Sequence, residues 1–429
     1  MVVVFVLVGL AVLVAFGALH WYAWRRLVRD TTRGPGLARR TGTVVIVTGP
    51  VLMFGALIAE RTGAPFWLQR VLAWPGFLWM AFSLYLLLAL VAAEFVRPLV
   101  RRLVEREAPA EVAVPQPERV PAGTAGTAAT EPEPEVESAP EPKRPEPAGP
   151  PRAAAPSRRL FVSRVVGGAA AAAAVGTVGY GTYGVLRGPR VKRVTVPLAK
   201  LPRSAHGFRI AVVSDIHLSP VLGRGFAQRV VDTINSTQPD LIAVVGDLVD
   251  GSVQDLGPAA APLSQLKARH GSYFVTGNHE YFSGAGQWVE EVRRLGLNPL
   301  ENARTELPAF DLAGVNDVAG ESEGQGPDFD RALGDRDTTR AVVLLAHQPV
   351  QIHEAVRHDV DLQLSGHTHG GQLWPGSLVA AAANPTVAGL ERYGDTQLYV
   401  SRGAGAWGPP TRVGAPSDIT VVELASKQA

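Results

Sequence analysis

Long apolar runs occupy the beginning of the chain, whereas short apolar runs that alternate with polar clusters occupy its second half. Apolar side chains follow one another almost without interruption over residues 2–22, 43–59 and about 72–93. An α-helix needs about 20 apolar residues to cross a bilayer. The pattern therefore predicts three transmembrane helices in a membrane region of residues 1–106. Burial in a soluble core is an alternative only for the shorter second run.

Arginine side chains collect at particular ends of these runs. Six lie between the first and second runs, within residues 25–40, and four follow the third run, within residues 97–106. Positively charged residues are enriched in the cytoplasmic segments beside transmembrane helices. We therefore expect both arginine-rich segments to be cytoplasmic and the N-terminus to lie outside.

Residues 107–156 contain mainly Pro, Ala and Glu, with hardly any large apolar side chain. Such a segment cannot bury enough surface to offset the entropy of ordering, which predicts a disordered linker. In residues 157–187, Arg158 and Arg159 precede an Ala- and Gly-rich run. This segment has two interpretations, a fourth transmembrane helix or a twin-arginine-like export signal. Both place the remainder outside the cytoplasm, although Arg187 and Arg190 beyond the run weigh against that orientation.

Residues 188–429 have the pattern of one compact α/β domain. Apolar runs with strand character occur at residues 209–214, 241–245, 272–276, 310–315, 342–346, 362–364, 397–401 and 419–424. Helical patterns lie between several of them, at residues 225–236, 259–269, 286–295 and 350–357. Strands that alternate with helices are typical of α/β architecture.

Five of the predicted strands run directly into polar clusters. These clusters contain Asp215 and His217; Asp247 and Asp250; Asn278, His279 and Glu280; His347; and His367 and His369. Each cluster alone is compatible with an ordinary turn. Open α/β sheets, however, place their binding sites at strand ends, and five such clusters in succession indicate one shared site.

Composition narrows the chemistry of that site. The chain has no cysteine, which excludes thiolate metal ligands, disulfides and cysteine nucleophiles. A metal must therefore be held by His, carboxylate or amide groups. The net charge is only +2, and no basic stripe with interleaved aromatic residues occurs, so we expect no nucleic-acid partner.

The five clusters, with the motifs DxH, GDxxD, GNHE, a lone His and GHTH, resemble those of the calcineurin-like metallophosphoesterase superfamily. The form SGHTHGGQ is similar to the YkuE-like, membrane-associated branch of that superfamily. The resemblance implies a two-sheet α/β/β/α sandwich, preceded here by a helical transmembrane region. It also implies a metal-dependent phosphoric ester hydrolase with two divalent metal ions.

The resemblance further implies a role for each motif residue. One metal ion would be held by Asp215, His217, Asp247 and His369, and the second by Asp247, Asn278, His347 and His367. Asp247 would bridge the two ions, and His279 would donate a proton to the leaving group. We expect Asp250 and Glu280 to orient these groups. Oxygen and imidazole ligands suit manganese, iron or zinc.

The expected function is that of a multi-pass cell-membrane phosphoesterase whose catalytic domain is extracytoplasmic. A hydroxide generated at the metal ions would attack phosphorus in line, with His279 as general acid. A phosphodiester is the preferred substrate class, with a lipid head group or envelope component as candidates, and no obligate protein partner is inferred. Alternatives are a phosphomonoesterase and a non-catalytic metal-binding sensory module.

Overall fold

A computed structural model of the chain describes residues 2–106 and 158–428. The predicted linker of residues 107–156 lies outside the described residues. The first part contains long helices only, and the second part begins with one further long helix followed by the α/β domain.

Four long helices precede the α/β domain. They are α1 (Val2–Trp24), α2 (Leu37–Arg61), α3 (Phe66–Arg106) and α4 (Arg158–Leu186). Within the described residues, α2, α3 and α4 are long and apolar enough to cross a membrane, judged by length and composition. The number of membrane spans and the boundaries between the predicted regions stay predictions.

Polar contacts join the arginine-rich ends of these helices to one another. Arg26, just after α1, pairs with Glu94 of α3 at 2.8 Å. Arg164 of α4 donates a hydrogen bond to the backbone oxygen of Thr31 at 2.9 Å. Further along, Ala174 of α4 packs in the same apolar cluster as Leu90 of α3. The four helices therefore form one bundle with an arginine-rich end.

Two six-stranded mixed sheets make up the centre of the α/β domain. The first has the order β1-β12-β2-β3-β4-β5 and the second the order β10-β11-β9-β8-β7-β6. The strands are β1 (Arg190–Leu198), β2 (Phe208–Val213), β3 (Leu241–Val245), β4 (Ser272–Val275), β5 (Asn298–Pro299), β6 (Ala303–Glu306), β7 (Asp311–Gly314), β8 (Val342–Leu345), β9 (Leu362–Ser365), β10 (Gly389–Tyr393), β11 (Thr396–Val400) and β12 (Asp418–Ser426).

The α/β domain also contains shorter helices. They are α5 (Arg224–Ser236), α6 (Val253–Ala260), α7 (Asn278–Ser283), α8 (Ala285–Arg294), α9 (Phe329–Leu333), α10 (Ile352–Arg357) and α11 (Gly376–Ala383). Of these, α5, α6 and α8 cover the outer face of the first sheet, and α9 and α10 cover that of the second. Side chains alternate along β2, so that Ala211 and Val213 pack in the cluster of α5 and α8. Ile210 and Val212 instead pack against the second sheet. Because residues 210–213 of this strand are buried on both faces, all four are apolar. The predicted α/β/β/α sandwich is confirmed.

All eight predicted strands are present, and four were missed. β1 was missed because Arg190, Lys192 and Arg193 interrupt its apolar pattern; among the described strands it lies at the edge of its sheet and pairs with β12. The helix predicted at residues 259–269 was wrong. α6 begins earlier because the Ser252 side chain accepts a hydrogen bond from the Asp255 N–H and caps it. A 3₁₀ turn then covers residues 261–265.

The α/β domain lies against the helix ends opposite the arginine-rich end. The Tyr85 hydroxyl of α3 donates to the backbone oxygen of Trp374 at 3.0 Å. Thr182 of α4 is hydrogen-bonded to Thr411 at 2.8 Å between their hydroxyl oxygens. Val185, in the last turn of α4, belongs to the buried core of the domain itself. The bundle and the domain are therefore joined by packing as well as by the chain.

Candidate metal centre

The five polar clusters meet at one edge of the sandwich. Three follow β2, β3 and β4 of the first sheet, which run parallel to one another. The other two follow β8 and β9 of the second sheet, which are also parallel. Parallel strands present their carboxyl ends at the same edge, so the structure brings all ten predicted site residues together.

The backbone at this edge is unusual. Asp215, His217, Asp247, His367 and His369 all have positive φ, between 47° and 74°. Non-glycine residues seldom adopt this conformation, and such residues concentrate at functional sites because the conformation costs free energy. The surrounding fold therefore holds these five side chains in directions that an ordinary loop would not favour.

Glycines in the motifs allow neighbouring loops to approach the carboxylates. A Cβ atom at Gly277 would lie 2.2 Å from Oδ1 of Asp247, and one at Gly366 would lie 2.4 Å from Oδ2 of Asp215. Both distances are below van der Waals contact. Only glycine therefore fits at these two motif positions.

Asp215, His217 and His369 form a first buried cluster of potential ligands. Their ligand atoms lie within 4.8 Å of one another. Nε2 of His217 is 3.0 Å from Nε2 of His369, and the latter is 3.4 Å from Oδ1 of Asp215. The His367 N–H donates to both Asp215 oxygens, at 3.0 and 3.1 Å, which orients the carboxylate.

Asp247, His347 and His367 form a second cluster of the same kind. Oδ2 of Asp247 is 3.1 Å from Nε2 of His347 and 3.7 Å from Nε2 of His217. Asp247 therefore lies between the two clusters. Oδ1 of Asn278 is 3.0 Å from Nδ1 of His367, which adds an amide oxygen to this group.

The donor set fits divalent metal binding. Nε2 of His347 is completely buried and, within the described residues, makes no hydrogen bond, although Oδ2 of Asp247 lies 3.1 Å away. Its other ring nitrogen, Nδ1, is 2.9 Å from the oxygen of Val245. A buried nitrogen that makes no hydrogen bond is costly unless something binds it. Imidazole nitrogens together with carboxylate and amide oxygens are ligands for divalent transition metals.

His279 lies beside these clusters at the surface of the site. Its Nδ1 is 2.7 Å from Oδ1 of Asp250, and the same oxygen is 2.8 Å from Nδ1 of His217. Burial lowers the pKa of His279, but the hydrogen bond with Asp250 and the charges of Asp250, Asp247 and Glu280 together outweigh burial and raise that pKa to about 9. Asp250 therefore orients one potential metal ligand and favours the protonated form of His279.

Comparison with known proteins agrees with this geometry. Residues 208–371 match the calcineurin-like phosphoesterase family. An uncharacterized metallophosphoesterase of Aquifex aeolicus is 34% identical over 243 residues, which cover 56% of this chain and 92% of that protein. The uncharacterized metallophosphoesterase YkuE of Bacillus subtilis is 30% identical over 280 residues, covering 63% of this chain and 98% of YkuE. The chain belongs to the calcineurin-like metallophosphoesterase family.

A third relative also has a membrane part. The transmembrane protein with metallophosphoesterase domain of Danio rerio is 40% identical over 264 residues, or 58% of this chain. The match spans only 60% of the length of the Danio rerio protein. These comparisons support a membrane protein with a metallophosphoesterase domain.

Glu280 contacts the motif loops through their backbones. Its carboxylate is fully buried and accepts hydrogen bonds from the N–H groups of Asp247, Leu248 and Gly277, at 2.9, 2.7 and 2.6 Å. Burial, together with the charge of Asp247, raises its pKa to about 7. Glu280 therefore joins two motif loops of the metallophosphoesterase domain through their backbones and touches neither His279 nor a ligand imidazole by hydrogen bond.

Sequence reasoning missed groups that come from distant segments. The buried Arg412 donates to the backbone oxygen of His369 at 3.0 Å, and its Nη2 is 2.9 Å from Nδ1 of that ring. Arg61 at the end of α2 lies over the ring of Phe282, 5.7 Å from its centroid, and that ring is 5.6 Å from His279. Neither Arg61 nor Arg412 lies in a recognisable sequence motif, so no signal in the sequence could have identified them.

Proposed function

We propose that the protein is a membrane-anchored, dinuclear-metal phosphodiesterase. The observation that carries this proposal is the convergence of seven potential metal ligands from five loops, with His279 directly beside them. A degenerate binding module would have no need for an imidazole held in its protonated form next to the ligands. The sensory-module alternative is therefore less favoured by the geometry.

The proposed ligands divide into two sets that share Asp247. Asp215, His217, Asp247 and His369 would hold one ion; Asp247, Asn278, His347 and His367 would hold the other. Ions bound there, with manganese, iron or zinc as candidates, would neutralise the phosphoryl oxygens and lower the pKa of the attacking water.

Side chains of the protein would supply the proton for the leaving group and limit the access of water. His279, protonated through Asp250, would deliver its proton to the leaving oxygen. An alkoxide is a poor leaving group and gains most from such an acid, which favours a phosphodiester over an activated monoester. Trp407, whose ring centroid is 5.7 Å from that of His279, would restrict access of water to the donor.

The proximity of the helix bundle to the site supports a lipid-linked or envelope substrate. Val221, in the loop after His217, packs with Ala56 of α2 and Phe77 of α3. Arg61 reaches Phe282 beside His279, and the carboxylate of Glu60 interacts electrostatically with Asp250 and His279. A phosphoester carried at the bilayer surface would therefore meet the site without leaving the membrane.

The proposed orientation is multi-pass with the catalytic domain outside the cytoplasm. The domain lies at the helix ends opposite Arg26 and Arg164, as the positive-inside rule requires. We also propose that α4 is retained as an anchor and not cleaved as a signal, because it packs along α3 and its residue Val185 is part of the domain core.

Hydrolysis by the purified full-length protein tests the proposal. The protein would be loaded with Mn²⁺, Fe²⁺ or Zn²⁺ and given matched phosphodiesters and phosphomonoesters, both soluble and lipid-linked. We expect turnover of diesters with two bound metal ions per chain by elemental analysis. Two bound ions without turnover of any ester would support a sensory module, and faster monoester turnover would support a phosphomonoesterase.

A further inference from the structure

A cavity of about 540 Å³ lies where α4 meets the α/β domain. Its walls come from the last turns of α4, the start of β1 and the loop before β12, and include Tyr180, Tyr183, Arg187, Arg190, Arg412 and Ser417. It lies behind the metal centre and not at its mouth, because Arg412 stands between the cavity and His369. The proposed reaction makes no use of it.

The cavity is cationic. None of its described lining residues is acidic. In the part of the chain that the structure describes, the guanidinium groups of Arg187 and Arg190 make no hydrogen bond or ion pair, whereas their backbone N–H groups do donate hydrogen bonds. Two cations beside one cavity, with no carboxylate in its wall, favour an anionic ligand.

Ser417 adds a buried donor that lacks a partner. Only 5% of its surface is exposed, and its hydroxyl oxygen has no hydrogen-bond partner among the described residues. The N–H of Arg190 donates to the backbone oxygen of Ser417 at 3.1 Å, which keeps the two residues side by side. An unpaired buried hydroxyl costs free energy, and an acceptor in the cavity would remove that cost.

The position of the cavity fits an amphiphile of the bilayer. Tyr180 and Tyr183 are 76% and 63% exposed near the end of α4, where interfacial aromatic residues belong. Gly176 and Gly184 also line the cavity and have no atom within 4 Å of the place of a Cβ, so the helix surface beside the cavity is open. This open surface would accommodate an acyl chain below a bound headgroup.

We infer that this cavity binds the phosphate headgroup of an anionic phospholipid, held by Arg187 and Arg190 and by the Ser417 hydroxyl. The site is separate from the catalytic one, and the inference does not depend on the proposed reaction. By the positive-inside rule, Arg187 and Arg190 at this end of α4 would argue for a cytoplasmic location. Lipid binding gives the two arginines another role, so they no longer conflict with the proposed orientation.

Native mass spectrometry of the full-length protein in detergent tests the inference. The probe is phosphatidylglycerol, and the mass of the bound species shows whether the lipid is intact, so binding is read independently of hydrolysis. We expect one lipid to bind tightly, with phosphatidylcholine weaker. Replacing both cations, with Arg187→Gln and Arg190→Gln together, should weaken binding about tenfold or more, and Ser417→Ala should weaken it several-fold.

The matched control is Arg193→Gln, which removes an exposed cation of β1 that does not line the cavity. It should bind as the unmodified protein does. Unchanged binding by the Arg187→Gln, Arg190→Gln protein, with its melting temperature preserved, would overturn the inference. Displacement of the lipid by millimolar inorganic phosphate would also overturn it, because the ligand would then be free phosphate.

Discussion

At the scale of single residues, one carboxylate contacts both a proposed metal ligand and the proposed proton donor. Oδ1 of Asp250 lies within 2.8 Å of both His217 and His279, so a single oxygen holds two imidazoles that have different proposed tasks. Such supporting hydrogen bonds fix both the direction and the basicity of an imidazole. For each single-residue variant, metal content and proton transfer must therefore be measured separately.

Replacing Asp250 with Asn should lower the pKa of His279, because the amide does not stabilise the imidazolium. The general acid works when protonated, so activity falls as pH rises through that pKa. The basic limb of the pH–rate profile should therefore move to lower pH, with a loss of about tenfold to a hundredfold at neutral pH. The profile of kcat/KM, measured at verified metal content, checks this; an unmoved limb contradicts the role of Asp250.

His279→Ala should retain two metal ions and lose about a hundredfold to ten-thousandfold in turnover of alkyl phosphodiesters. The loss should be much smaller for an activated aryl phosphate, whose leaving group needs no proton. Paired kinetics on the two esters measure the difference. Full activity of His279→Ala on the alkyl diester would rule out a general-acid role for this residue.

At the scale of elements, the turn between α2 and α3 brings the membrane part to the edge of the site. Arg61 is the cation of this turn and lies over Phe282, whose ring is in turn next to His279. A cation at that place would pair with the headgroup of a lipid-linked substrate. A small soluble ester has no headgroup with which Arg61 could pair.

Arg61→Ala should therefore raise the KM for a lipid-linked phosphodiester by about tenfold, as expected for one charge-assisted hydrogen bond. It should leave a soluble aryl phosphodiester nearly unaffected. The matched control is Arg70→Ala, an exposed arginine near the start of α3. Equal effects of Arg61→Ala on both substrates would show that the turn does not select for lipid.

The strands also show which secondary-structure elements a hydrophobic pattern can predict. The fully buried strands, such as β3 and β8, are apolar at every position and were predicted almost to the residue. β1 and β10 carry exposed polar side chains at the edges of their sheets, so their patterns gave no strand signal. Strand prediction was thus reliable where burial on both faces dictates composition.

At the scale of the whole molecule, the helix bundle has arginines at one end and the catalytic domain at the other. If the protein is inserted as proposed, protease added to intact cells or spheroplasts should cleave the catalytic domain and leave the segment of residues 25–40 protected. Antibodies against tags at both places would measure this. Protection of the catalytic domain before lysis would reverse the proposed orientation.

The sequence alone determined which groups stand at the strand ends of the candidate site, because apolar runs that end in Asp, Asn and His define both the strands and the groups that follow them. It also determined the apolar spans, since length and composition are local properties. Only the tertiary structure decided that Asp250 serves two imidazoles and that Glu280 joins two loops. Arg61, Arg412 and Ser417 likewise acquire their surroundings from contacts between segments far apart in the chain, and no local pattern records such contacts.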